Sequence, residues 1–174
     1  MIRSTRWIAV LVAACNAACV PTLDWREFVP EGSGIGVTFP CRPDRHARNV
    51  TVAGERASME MIVCSEGGAT FAVAFLDVAD PGRVSPALRE LKSAALGNVH
   101  GANPRVSTFG IKNMTPNDES TRLSIDGRLP DGSAVREEAA FFVHGLRVYQ
   151  ATVIGARPEA QGVETFFGGL KFPG

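Results

Sequence analysis

The sequence predicts an α+β fold in which a predominantly antiparallel, twisted sheet is flanked by two helices. Three observations lead there. Apolar and polar residues alternate with period two along much of the chain. Only two segments carry the helical i, i+3, i+4 spacing, and the later connections are too short for parallel crossovers. The chain has 174 residues, 45% apolar and 21% charged, which is material for one domain.

The elements follow in order. Ile35, Val37 and Phe39 alternate with Gly34, Gly36 and Thr38 until Pro40 stops the strand. Val50 and Val52 alternate with Asn49 and Thr51; Ala53-Gly54-Glu55-Arg56 turns the chain, and Met59, Met61 and Val63 complete a hairpin. Residues 71–78 are apolar except at Asp77, the pattern of a central strand covered on both faces. After Asp80-Pro81-Gly82 a helix is expected, with Ser85 as its N-cap and Pro86 at the first helical position. Leu88, Leu91, Ala95 and Val99 share one face of it, and Gly97 and Gly101 mark its decay. Strands over 106–111, 122–128, 133–144 and 146–154 then form a meander, broken at Pro116-Asn117-Asp118, Pro130-Asp131-Gly132 and His144-Gly145. Arg157-Pro158 opens a last helix bearing Val163, Phe166, Phe167 and Leu170, which Gly168 and Gly169 should end early.

The N-terminus supplies an address. Arg3 and Arg6 precede the apolar run 7–14, the n-region and h-region of an export signal. Eight apolar residues fall well short of the roughly 20 needed to span a bilayer. Val12-Ala13-Ala14-Cys15 resembles the lipobox of bacterial lipoproteins: an apolar residue, two small ones, then the cysteine that is lipidated. Asn16-Ala17-Ala18-Cys19 places a polar Asn where the apolar residue belongs. Cysteine parity favours Cys19, because cleavage there leaves only Cys41 and Cys64. The lipobox favours Cys15, which is the preferred anchor, with Cys19 as the alternative.

Residues 1–14 are therefore expected as a signal peptide (to 18 for Cys19), 20–33 as a linker, and 34–174 as a single globular domain. Neither Asn16 nor Val20 is the Asp that retains enteric lipoproteins in the inner membrane. By that analogy the periplasmic leaflet of the outer membrane is favoured. Export and cysteine count also predict a Cys41–Cys64 disulfide, with two free thiols as the alternative.

Charge narrows the partners. Lys+Arg and Asp+Glu are both 18, and removal of Arg3 and Arg6 leaves 16 basic against 18 acidic residues, a net of −2. Nucleic acid is not an expected partner. Contact with the membrane should come through the lipid, not through headgroup attraction.

No residue set announces a reaction. His46, His100 and His144 fall in separate turns or element ends, with no ligand spacing around them. Gly32-Ser33-Gly34 precedes a strand and not a helix, so it lacks the setting of a nucleophile elbow or a phosphate loop; a flexible lead into the strand is expected. Glu137 and Glu138, as strand neighbours, should point to opposite faces and so cannot form a catalytic carboxylate pair. Asp118-Glu119 and Asp131-Gly132 belong to turns. Arg outnumbers Lys by 15 to 3, which could mean anion recognition, but the arginines are scattered and a GC-rich genome explains them. Met59 and Met61 are expected to fill core, with a greasy groove completed by Met114 as the alternative. Tyr149 is expected in the core with its hydroxyl satisfied. Catalytic, metal and cofactor residues are accordingly expected to be none.

One ordered set of landmarks carries a family resemblance. Gly34-Ile-Gly-Val-Thr-Phe-Pro40 with Pro43, the helix after Ala79-Asp80, Gly145-Leu-Arg-Val-Tyr149 and Phe166-Phe167-Gly-Gly-Leu-Lys-Phe172 resemble, in order and spacing, small bacterial exported proteins with a PsbP-like fold. The resemblance spans residues 25–172. It implies an α/β sandwich and a non-enzymatic role, in which an envelope accessory module binds a protein partner. Two rivals stay open: a small hydrolase or transferase with an unrecognised site, and a carrier of an apolar ligand between sheet and helix.

Overall fold

A computed structural model describes residues 23–174. The expected signal peptide and both candidate anchors, Cys15 and Cys19, lie outside the described residues. In chain order the elements are β1 (Arg26–Phe28), β2 (Val37–Phe39), β3 (Asp44–Val52), β4 (Glu55–Glu66), β5 (Ala69–Asp77), α1 (Val84–Asn98), β6 (Arg105–Thr108), β7 (Thr121–Arg128), β8 (Ala134–His144), β9 (Arg147–Gly155) and α2 (Ala160–Gly168).

Seven strands form one antiparallel sheet in the order β3-β4-β5-β9-β8-β7-β6. The chain lays down β3-β4-β5, crosses by α1 to the far edge, and returns through β6-β7-β8-β9 until β9 pairs with β5. The predicted class, an antiparallel sheet flanked by helices, is the observed one. Central β5 is covered on both faces from Val73 to Leu76, as its unbroken apolar run requires.

Side-chain alternation divides the core in two. One face of the sheet, with Leu76, Leu123, Ile125, Phe141 and Val148, meets Leu88, Leu91 and Ala95 of α1. The other face, with Phe71, Val73, Phe142 and Tyr149, is covered by β2 and α2 through Ile35, Val37, Phe39, Phe166 and Phe167. Phe166 meets Phe39 and Phe71 at ring-centroid distances of 5.7 and 5.5 Å. The space between the sheet and each helix is thus filled by side chains.

Several local expectations are corrected. The segment expected as a linker over 20–33 joins the domain within its described part. Arg26–Phe28 pairs with Val37–Phe39 in a separate two-stranded sheet, and Trp25 sits edge-on to Phe71 at 5.7 Å. β3 starts at Asp44, ahead of the Asn49–Val52 alternation. It is an edge strand exposed on both faces as far as Asn49, so those residues carry no alternation to read. His46 consequently lies inside β3 opposite Met61, not in a turn.

Ser85 is not the N-cap of α1. The Asp80 carboxylate accepts from the Gly82 amide at 2.9 Å and caps a 3-10 turn over Pro81–Arg83, which runs directly into α1 at Val84. The same logic of cap followed by proline operates one turn earlier, and Pro86 occupies a first-turn position whose N–H would be unpaired anyway. The sixth strand stops at Thr108, with all four residues exposed. α2 ends at Gly168 as expected, and Leu170 packs into the core from beyond it. Among the described residues, no helix is long and apolar enough to cross a membrane.

Candidate functional site: an arginine–carboxylate cleft

Strand register creates a charged cluster that sequence distance hides. Arg105 lies opposite Ser124, Ser124 opposite Glu138, and Asp126 opposite Arg136. These positions share one face of the β6-β7-β8 edge, beyond the aromatic core on the α2 side. The β9–α2 loop and the first turn of α2 rise beside them. The result is a cleft of about 590 Å³ whose lining includes Arg122, Asp126, Arg136, Glu138, Arg157 and Glu164. A second depression of about 630 Å³ shares Ala134, Val135 and Ala156 with it and reaches the Gly67-Gly68 turn.

Glu138, 8% exposed, forms the floor. Arg136 Nε donates to its Oε1 at 3.1 Å, and Arg122 reaches Oε2 from Nε at 3.4 Å and from Nη2 at 3.3 Å. Arg122 also grips Glu164 of α2 with two hydrogen bonds, at 2.8 and 3.3 Å, and lies 4.2 Å over the Phe167 ring. Ser124 Oγ accepts from Arg105 at 2.8 Å and from Arg136 at 3.0 Å. A buried carboxylate between two guanidiniums is the arrangement that keeps a desolvated charge tolerable. It also fixes the forked donors of both arginines at the mouth of the cleft. Arg157, exposed on the rim, makes no ion pair among the described residues.

The arginines expected to be scattered are therefore gathered in part: Arg105, Arg122 and Arg136 belong to one network. The available signal was the alternation Arg122-x-Ser124-x-Asp126 and Arg136-x-Glu138 on strands already predicted to pair.

Other singled-out residues fall elsewhere. Cys41 and Cys64 form a disulfide with Cα atoms 6.0 Å apart, joining the exit of β2 to β4. Glu137 and Glu138 do face opposite sides. Glu137 lies on the α1 side, where burial pushes its carboxyl up to about 7. Glu119 is held by Lys92 at 2.5 Å and Arg89 at 3.0 Å, which lower its pKa. Hydrogen bonds from Ser133 lower that of Asp131 in its turn. His144 stacks on Phe172 at 4.5 Å, and His100 sits at φ +46° after α1. Among the described residues, no three His, Cys, Asp or Glu side chains converge on a metal position.

Met59 is buried, but Met61, expected in the core, is 36% exposed. It lies next to the sheet edge, where α1 no longer covers the face. Met114 is half-buried on the other core layer. Gly32-Ser33-Gly34 is not a flexible lead into the strand: Ser33 is wholly buried and bonds Pro30 and Ile35 carbonyls at 2.7 and 3.1 Å.

No protein-family model matches the chain, and no curated protein matches it either. Fold and site together define an α+β sandwich carrying a preorganised arginine–carboxylate cleft at one end of its sheet.

Proposed function

We propose that the protein is an exported, lipid-anchored envelope module that binds a protein partner through this cleft, without catalysing a reaction. The observation carrying the reading is the Arg122–Glu138–Arg136 floor. Its ionisable groups neutralise one another in fixed ion pairs, a state suited to recognition and not to proton transfer or nucleophilic attack.

The partner should present carboxylates. Arg157, which makes no ion pair among the described residues, can take one, and the 68% exposed side chain of Glu164 can yield its place on Arg122 to another. The resemblance to PsbP-like exported proteins supports the same class of role, and the lipobox before Cys15 supports attachment to the periplasmic leaflet of the outer membrane.

A photo-crosslinking residue at Ala160 on the rim, and another at Asn49 on the distant β3 edge, test this in intact cells. A discrete protein adduct is expected from Ala160, weakened in Arg157→Ala, and none from Asn49. Absence of an adduct at Ala160 overturns the reading.

A further inference from the structure

β6 is one edge of the sheet, and among the described residues it pairs with β7 alone. All four of its residues, Arg105–Thr108, are exposed. Register shows which backbone groups point outward. Phe109 donates its amide to the Ser120 carbonyl at 3.3 Å, one step beyond the Thr108–Thr121 pair. Hydrogen-bonded pairs alternate in an antiparallel ladder, so Arg105 and Ser107 bond to β7 while Val106 and Thr108 turn N–H and C=O away from it. The far side of β7 agrees. Leu129 donates to the Ser133 carbonyl at 2.9 Å, one step beyond the Arg128–Ala134 pair, and the same alternation commits the Leu123 backbone to β8. Val106, opposite Leu123, therefore presents its backbone at an open edge.

Side chains on this edge divide by chemistry. Arg105 and Ser107 stand on the α2 side, at a hollow of about 260 Å³ whose lining includes Arg105, Arg122, Arg136 and Glu138. Three guanidiniums against one carboxylate make the hollow cationic, and the Arg105 side chain is 64% exposed. Val106 stands on the α1 side, opposite Leu123, and is 62% exposed. The edge thus offers unpaired main-chain groups, a positive face and an uncovered apolar side chain.

We propose that β6 receives an extended segment of a partner protein as an eighth strand of the sheet, with acidic side chains on the α2 side alternating with apolar ones on the α1 side. The backbone groups of Val106 and Thr108 bind its main chain. Carboxylates opposite Arg105 and Ser107 meet the arginines, and an apolar residue opposite Val106 covers it. Neither edge of this chain has that pattern: β6 carries no acid, and β3 carries Asp44 against Arg45 and Arg48. The proposal rests on the carboxylate-binding reading of the cleft, which shares Arg122, Arg136 and Glu138 with the hollow, and it specifies how the carboxylates arrive.

The probes are labelled peptides of about nine residues that alternate Glu with Val or Thr, titrated into the full chain and read by fluorescence polarisation. The Glu peptide should bind, and its counterpart with Lys for Glu should bind about tenfold more weakly or worse. N-methylation at the Val and Thr amides, which face β6, should also weaken binding about tenfold. Methylation at the Glu amides, which face away, should change it little. Val106→Pro deletes one outward N–H and leaves every β6–β7 hydrogen bond, so it should weaken binding too, with circular dichroism confirming the fold. Should that variant fail to fold, the methylated peptides decide the matter on the unaltered protein. Equal binding of the two methylated peptides overturns strand addition and leaves the carboxylate reading of the cleft standing. Equal binding of the Glu and Lys peptides overturns both. No binding of the Glu peptide overturns strand addition, and the Ala160 crosslink then judges the cleft by itself. A dimer of the full chain that Val106→Pro dissolves overturns the choice of occupant.

Discussion

The Tyr149 hydroxyl donates to the Ser33 carbonyl at 2.8 Å, tying the middle of the sheet to a loop 116 residues upstream. The loop is shaped to receive it. Gly32 and Gly34 take φ of +71° and +70°, and a Cβ on Gly34 would stand 3.3 Å from the Tyr149 oxygen. Arg147, held by Asp77 through two 2.7 Å hydrogen bonds, donates to the Gly32 carbonyl beside it. Burial pushes the Tyr149 phenol up to about 12, so the donor keeps its proton throughout the working range. Tyr149→Phe should cost about 1–2 kcal/mol by leaving a buried carbonyl short of a donor. Urea unfolding measures this; an unchanged midpoint would show that the loop is held without the bond.

The disulfide should matter more. Cys41 and Cys64 are 23 residues apart, and closing a loop of that size stabilises by about 3 kcal/mol in the chain-entropy model. The double substitution Cys41→Ala, Cys64→Ala should lower stability by about that amount while keeping the fold. Alkylation of protein purified without reductant checks the bond directly: full labelling of both thiols means it does not form in the cell.

Much of this architecture was readable in the chain because burial imposes period. β5, α1 and α2 were legible from their apolar faces, Tyr149 from the partner that a buried hydroxyl needs, and the Cys41–Cys64 pairing from cysteine parity together with the expected export. What was not readable has a common cause. The outer part of β3 is exposed on both faces, so Asp44 to Asn49 carry no alternation. Arg26–Phe28 is short and polar, and its place is set by pairing with β2, not by its own sequence. The cleft was missed for a related reason: Arg136-x-Glu138 is spaced along one strand, but Arg122 and Arg105 join it only through the register of β7 and β6, and no spacing along one strand announces three strands in alignment.

Within the cleft, the two partners of Arg122 should behave differently. Glu164 is largely exposed, so Glu164→Gln should shift stability by less than about 1 kcal/mol. Arg122→Ala removes a partner from buried Glu138 and should cost about 3–5 kcal/mol, less whatever Arg136 retains. Equal effects in thermal melts would mean that Glu138 is solvated in solution and is not the floor of a preformed site.

The proposed lipid anchor has its own discriminating experiment. Cells fed radiolabelled palmitate should label the wild type. Loss of label in Cys15→Ala with retention in Cys19→Ala selects Cys15. The reverse pattern selects Cys19.

Glu137 makes stability depend on pH in a direction opposite to most surface carboxylates. Its side chain is 4% exposed, between Val135 and Ala139 on its own strand and opposite Ile125 and Ile154 on β7 and β9. Desolvation is the cause that raises its pKa from 4.5 to about 7. The folded state therefore holds a proton that the unfolded chain releases more readily. Below about pH 4.5 both states are protonated and the carboxyl costs nothing extra. As pH climbs through 7 that stability is lost, and above it the folded protein carries a buried charge. The full loss amounts to about 3 kcal/mol. Glu137→Gln removes the titration while keeping the shape. Its stability relative to wild type should rise between pH 4.5 and 7 and level off above, approaching 3 kcal/mol. Urea unfolding of both proteins at pH 4, 6 and 8 reads the curve. A difference that stays flat across the three values would place the Glu137 carboxyl in contact with water and end the argument for a protonated side chain under α1.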